Sequence, residues 1–139
     1  MENRVILYHK QGTSARTLFL RVNETVCLFD GLPTLSSVLE DAPTDKIAVH
    51  PAAILAETEQ KLGLPPASIK IDSEDEFQAS VDAPAGPINI ILARFTATDP
   101  PREAVAPAGG TFIALTEARQ LPATELVLLR LAYQAIMEG

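Results

Sequence analysis

The sequence predicts an α+β fold, and three observations lead to that prediction. Short apolar segments rich in Val, Ile, Leu, Phe and Tyr recur between turn-like residues, which is typical of strands. Two longer segments, 51–63 and 122–137, show the three- and four-residue apolar spacing of helices. The 139 residues suffice for one core but not for two of ordinary size, so we predict a single domain, 1–139.

The predicted elements follow in chain order. Seven segments have the pattern of strands: 4–9, 17–22, 25–29, 67–71, 77–81, 88–95 and 111–115. A short helix is predicted at 34–41, where Leu35, Val38 and Leu39 have helical spacing before Pro43. Segment 96–110 contains three prolines and two glycines and predicts a long loop, either functional or a tolerated insertion.

Charge and cysteine content limit the classes of function. The net charge of −7 argues against nucleic acid and anionic membrane surfaces as partners, because few basic groups are available to neutralise phosphates. The apolar runs are too short for a membrane-spanning helix, and the N-terminus lacks the pattern of a secretory signal. Cys27 is the only cysteine, which excludes an internal disulfide. We therefore expect a soluble, cytoplasmic protein.

The helix at 51–63 has clear start and stop signals. Pro51 suits the first helical position, and Gly63 suits the left-handed conformation that commonly ends a helix. An apolar stripe predicts its buried side, with Ile54 at the border: Leu55, Thr58 and Leu62. A separate polar stripe is where we expect function: Glu57, Gln60 and Lys61.

Other candidate sites have simpler structural interpretations. The acidic run 72–76 has carboxylates that suit a divalent cation, but it lacks calcium-loop spacing and is better explained as a solvated hairpin turn. His9, His50 and Cys27 have no spacing typical of a zinc site or a nucleophile–base pair. No catalytic residue is assigned from these groups.

The order of elements and the helix at 51–63 resemble the Nudix hydrolase superfamily. The family's signature matches at Glu57, Gly63 and Leu64. The segment 111–133 is also similar to the strand and closing helix of such domains. The resemblance implies a mixed sheet packed between helices, an α/β/α sandwich, with a loop and helix that hold divalent metal against a diphosphate.

The signature is degenerate at the positions that carry the family's chemistry. Other residues replace the first glycine, first glutamate, arginine, apolar residue and paired glutamates of the pattern: Ala42, Ala48, Ala56, Thr58, Gln60 and Lys61. Metal binding on this helix needs several carboxylates on one face. Here that face offers one carboxylate, one amide and one ammonium, and Glu59 points elsewhere because residues two apart on a helix diverge by about 200°. We expect divalent metal to be held weakly or repelled.

These observations predict a Nudix-like domain that lacks standard metal-dependent pyrophosphohydrolase activity and binds or regulates through a small ligand. Its expected ligand is anionic or a nucleotide, because Lys61 can replace metal as the phosphate's partner. Arg102, in the bordering loop, is the fourth candidate ligand-binding residue. No cofactor is expected in this hypothesis.

Two alternatives stay open. One is a divergent hydrolase of nucleoside diphosphate derivatives that uses magnesium, with Glu57 and carboxylates from elsewhere: Glu74, Asp75, Glu76 or Glu103. The other is a protein-interaction domain that uses an exposed apolar patch.

Overall fold

The computed structural model describes residues 2–10, 17–28, 31–32, 37–39, 51–71, 79–84, 86–97 and 101–138. In these residues the strands are β1 (Glu2–Lys10), β2 (Thr17–Val22), β3 (Ser37–Leu39), β4 (Ile69–Lys70), β5 (Ala79–Ala83), β6 (Gly86–Phe95) and β7 (Gly110–Ile113). The α-helices are α1 (Pro51–Leu62), α2 (Arg102–Val105) and α3 (Ala123–Glu138), and two 3-10 helices span Ala106–Ala108 and Leu115–Gln120.

The described strands form one mixed sheet. Its order is β3-β5-β6-β1-β2-β7, and β4 pairs with β6 beyond the end of β5. The central pair, β1 and β6, is parallel, while the other pairs are antiparallel. Strand β6 has the near-continuous apolar sequence of a strand that is covered on both faces.

Helices cover both faces of this sheet. On one side, called here the α3 face, Ile6, Phe19 and Ile90 pack with the buried side of α3. On the other, the α1 face, Leu7 and Leu20 belong to the apolar cluster that α1 and α2 help to bury. Successive strand residues alternate between the two faces, so β1, β2, β6 and β7 each contribute to both apolar layers. The predicted α+β class, with a mixed sheet between helices, is confirmed.

The predicted buried stripe of α1 is also confirmed. Leu55, Thr58 and Leu62 are buried, and Ile54 is half-buried. The hydroxyl of Thr58 donates a 2.8 Å hydrogen bond to the carbonyl oxygen of Ile54, so its polar atom is satisfied inside the helix. Gly63 follows the helix with a φ of 73°, as its sequence position predicts.

The strand predicted at 25–29 is wrong over its described part, 25–28. These residues make only isolated bridges, Val22 with Thr25 and Val5 with Leu28. The reason lies in the side chains, because the amide of Val26 donates to Glu125 and that of Cys27 donates to the Thr25 hydroxyl. Side-chain acceptors replace the strand partner that the apolar pattern predicted.

The helix predicted at 34–41 is wrong at its described residues, 37–39. They form β3, which pairs antiparallel with β5 and places Val38 opposite Val81. The pairing satisfies backbone groups that a short helix before a proline would have to satisfy alone. The other residues of the predicted helix lie outside the described part of the chain.

Three further boundaries differ from the sequence prediction. The strand predicted at 67–71 is reduced to Ile69–Lys70, because Ala67 has a φ of 66° and the Ser68 amide donates to Glu59 instead. The predicted strand 77–81 is found as Ala79–Ala83, and residues 77–78 lie outside the description. Strand β7 begins and ends earlier than predicted, at Gly110 and Ile113.

The segment predicted as a loop at 96–110 contains helical turns. Pro101 precedes α2, and Pro107 lies in the first turn of the 106–108 3-10 helix, where proline is tolerated. Val105 anchors the segment, since it is fully buried. A Cβ atom at Gly110 would lie 2.8 Å from the Cβ of Val105, so glycine permits this close approach.

Candidate functional site

The predicted ligand-binding face of α1 points outward. Glu57, Gln60 and Lys61 are all exposed. The Nζ atom of Lys61 lies 3.2 Å from the Oε1 atom of Glu57, one helical turn away, with side chains 53% and 65% exposed. Glu57, which matches the Nudix signature, therefore forms an ion pair with Lys61, which stands where the signature has a glutamate.

Glu59 has a structural role that the sequence analysis missed. It is buried, and its Oε2 atom accepts hydrogen bonds from the amides of Ser68 at 2.7 Å and Ile69 at 3.2 Å. The carboxylate thereby joins α1 to the start of β4. The sequence does indicate this role: Glu59 lies four residues after Leu55 and three before Leu62, so it is an acid on the apolar stripe of the helix.

Arg102 lies on the same side of the sheet as α1, in α2. Its guanidinium carbon is 5.8 Å from the ring centre of Phe112, an arrangement that favours cation–π attraction. Phe112 in turn makes an edge-on contact with Phe95, with ring centres 5.4 Å apart. Phe112 is buried and Arg102 is exposed, so the guanidinium is attracted to the ring while it remains accessible to solvent. Helix α1 contacts the 106–108 3-10 helix that follows α2.

His9 is buried within the sheet rather than placed at this site. Its Nε2 atom lies 2.9 Å from the carbonyl oxygen of Ala97, which requires a proton on Nε2. Its Nδ1 atom is buried and has no hydrogen-bond partner among the described residues. His50 and the acidic run 72–76 lie outside the described residues.

A second buried carboxylate fixes the start of α3. The Oε1 atom of Glu125 accepts hydrogen bonds from the Thr25 hydroxyl and the Val26 amide, both at 2.8 Å. Close to this group, the Nε atom of Arg4 donates to the carbonyl of Gly31 at 2.7 Å. Glu125 shares a stripe with Leu128, Leu129 and Ala132, so an acid on an apolar stripe again marks a structural contact.

Cys27 lies beside this polar cluster and is buried. Burial raises the pKa of its thiol well above the ordinary value of 9.0, the Glu125 charge raises it further, and Arg4 partly offsets these effects. The thiol therefore stays protonated and unreactive in the folded chain.

We expect this thiol to make stability fall at alkaline pH. Its pKa is higher in the folded chain, so the stability it contributes is fully present below pH 9.0 and is lost as pH rises above that value. The slope from this group approaches about 1.4 kcal/mol per pH unit above the unfolded-state pKa. Urea unfolding at several pH values, compared between the parent chain and Cys27→Ala, measures the effect. Equal slopes for the two chains would contradict the assignment.

Comparison with known proteins assigns the chain to no family. No protein-family model matches the chain, and no curated protein sequence matches it. Within the described residues, no helix has the length and apolarity needed to cross a membrane. A search of the same residues finds no group of three or more His, Cys, Asp or Glu side chains arranged to hold a metal ion.

Proposed function

We propose that this chain is a Nudix-like domain that binds a small anionic or nucleotide ligand without metal-dependent hydrolysis of it. The observation that carries the proposal is the ion pair between Glu57 and Lys61. A divalent ion at Glu57 has to compete with an ammonium group 3.2 Å away, and the ion is repelled by that group's charge. The Lys61 ammonium thus neutralises the Glu57 carboxylate on the helix face that binds metal in the resembled family.

The other acid of the helix supports the same proposal. The Oε2 atom of Glu59 accepts two backbone hydrogen bonds in a buried position, and turning it outward would leave the Ser68 and Ile69 amides without that acceptor. Recruiting it as a metal ligand would therefore cost stability. Of the carboxylates considered for the alternative hydrolase, Glu103 is exposed on α2, and the acids at 74–76 lie outside the described residues.

The cations assigned to the ligand are Lys61 and Arg102, and Gln60, which precedes Lys61 on the exposed side of α1, offers an amide. Arg102 presents a planar guanidinium that suits two oxygens of one phosphate group. Its contact with Phe112 restricts the side chain before binding, which lowers the entropy lost when a ligand is held. The assigned ligand is therefore a phosphate-bearing small molecule such as a nucleoside diphosphate derivative.

The test is a calorimetric titration with ADP-ribose, which contains an intact pyrophosphate, in the presence of a chelator. We expect saturable binding, weakened roughly tenfold or more by Arg102→Gln and less by Lys61→Gln, because Lys61 is shared with Glu57. Arg119→Gln is the matched control, since Arg119 is an exposed arginine in the 115–120 3-10 helix of the α3 face. Absence of binding, or equal loss in all three variants, would contradict the proposal.

A further inference from the structure

Arg21 of β2 is a half-buried cation without a partner among the residues that the structure describes. Its Nε atom is buried and makes no hydrogen bond to a described residue, and its guanidinium group forms no ion pair with one. Removing a charged group from water without giving it a partner costs free energy. Buried polar groups are almost always hydrogen-bonded, so this exception calls for an explanation.

The Arg21 side chain lies on the α3 face of the sheet. Its neighbours in β2, Leu20 and Val22, belong to the apolar layer of the α1 face, whereas Phe19 belongs to the layer of the α3 face. Since successive side chains alternate, Arg21 is directed to the same side as Phe19. The sheet therefore separates Arg21 from the residues of α1 and α2 that are assigned to the phosphate-bearing ligand.

A hydroxyl group lies beside this guanidinium group. Thr111 of the edge strand β7 is the cross-strand partner of Arg21, and its neighbour Phe112 belongs to the apolar layer of the α1 face. Thr111 is therefore directed to the same face as Arg21, and it is exposed. Side chains directly opposite one another in an antiparallel pair have Cβ atoms about 5 Å apart. The two side chains can thus donate hydrogen bonds to one small acceptor.

Two carboxylates on the helices that cover this face are hydrogen-bonded to other groups. Glu117 lies in the 115–120 3-10 helix, which contacts β2 and β7, and it accepts a hydrogen bond from the Ala114 amide. Glu125 of α3 accepts the two hydrogen bonds described above, from a hydroxyl and an amide. Neither acid therefore serves as the partner of Arg21.

We propose that Arg21 and Thr111 bind the carboxylate group of a small organic acid on the α3 face. A guanidinium group presents its Nε and Nη hydrogens side by side, and the two oxygens of a carboxylate can accept both. This geometry uses the Nε atom that lacks a partner among the described residues. One guanidinium and one hydroxyl supply a single positive charge, which suits a carboxylate better than a multiply charged phosphate. The half-buried position of Arg21 favours a small ligand over a broad protein surface.

The test is a titration of the isotope-labelled chain with acetate at constant ionic strength, with amide chemical shifts followed by NMR. Saturable shifts are expected at residues 20–22 and 110–112, with millimolar affinity because the probe is so small. Arg21→Lys keeps the charge but removes the paired donors, so it should weaken acetate binding roughly tenfold. Thr111→Val removes one neutral donor and should weaken binding about threefold. Arg130→Gln removes an exposed arginine from α3 and is the matched control, with unchanged affinity expected.

Three results of this titration would overturn the proposal. The first is the absence of saturable shifts at residues 20–22 and 110–112. The second is equal acetate affinity in the parent chain and Arg21→Lys, which would mean that the paired donors are not used. The third is tighter binding of inorganic phosphate than of acetate, which would assign the site to a different anion.

A thermal-unfolding measurement distinguishes binding from a purely structural role of Arg21. Arg21→Met replaces the guanidinium group by an apolar side chain, so without acetate its melting temperature should equal or exceed that of the parent chain. Acetate should raise the melting temperature of the parent chain but not that of Arg21→Met. A lower melting temperature for Arg21→Met without acetate would contradict the proposal, since Arg21 would then have a partner within the chain. An equal response of both chains to acetate would also contradict it.

Discussion

Replacing Glu125 by alanine is expected to lower the free energy of unfolding by about 3–5 kcal/mol, one of the largest effects expected of a polar substitution among the residues that the structure describes. The carboxylate is only 3% exposed and accepts hydrogen bonds from the Thr25 hydroxyl and the Val26 amide. Alanine removes the acceptor of the buried Val26 amide and leaves the half-buried Thr25 hydroxyl only a 3.4 Å hydrogen bond to the Cys27 carbonyl oxygen. A buried donor without a partner costs about 1–3 kcal/mol, and the loss of the buried carboxylate's packing adds to this. Urea unfolding followed by circular dichroism measures the loss.

The controls for Glu125 separate its hydrogen bonds from its charge. Glu125→Gln keeps one acceptor oxygen and should cost less than alanine. Glu103→Ala removes an exposed carboxylate from the first turn of α2 and should change stability by less than about 0.5 kcal/mol. A loss of under 1 kcal/mol for Glu125→Ala would contradict its role in joining α3 to residues 25–28.

The second large effect is expected at Glu59. Glu59→Ala should lower the free energy of unfolding by about 2–4 kcal/mol, because the amides of Ser68 and Ile69 lose their common acceptor. Glu57→Ala, two residues earlier, removes only an exposed ion pair and should cost less than about 1 kcal/mol. The same unfolding measurement on both variants gives the comparison.

Comparing Glu59→Ala with Glu57→Ala tests whether Glu59 has a structural role while Glu57 lies on the surface. If Glu57→Ala proves as destabilising as Glu59→Ala, Glu57 has a buried partner and the outward orientation of its face is wrong. Glu59→Gln, which retains one acceptor oxygen, should lie between the parent chain and Glu59→Ala. A neutral effect of Glu59→Ala would show that β4 is held by other contacts.

The sequence predicts the regular elements well where a local pattern has clear ends. Helix α1 begins at Pro51 and ends before Gly63 as predicted, and β2 spans the predicted residues 17–22. The apolar run of β6 predicts a strand at the centre of the sheet, and it pairs there with β1 and β5. In these cases propensity, apolar spacing and turn residues agree with the fold.

The prediction fails where a distant partner decides the local structure. Residues 25–28 look like a strand, but Glu125, about a hundred residues away, accepts the Val26 amide. Residues 37–39 have helical spacing, but pairing with β5 makes them a strand. In each case a long-range contact overrides the local preference, and no pattern within the segment reveals it.

The exposure of the polar stripe on α1 is predictable from the sequence, and so is one of its contacts. The polar stripe of α1 is exposed as its spacing indicates. The ion pair between Glu57 and Lys61 follows from four-residue spacing, whereas the contact of Arg102 with Phe112 depends on the packing of α2 against the sheet. The family likeness itself stays a prediction from the signature residues.

The most direct test of the central claim, that the Glu57–Lys61 face binds phosphate oxygens without a metal centre, is the ADP-ribose titration repeated with magnesium in place of the chelator. Phosphorus NMR reports both binding and cleavage in one sample. The account predicts similar affinity in both conditions and an intact pyrophosphate after prolonged incubation. Magnesium-dependent binding at Glu57 with steady release of AMP would contradict it.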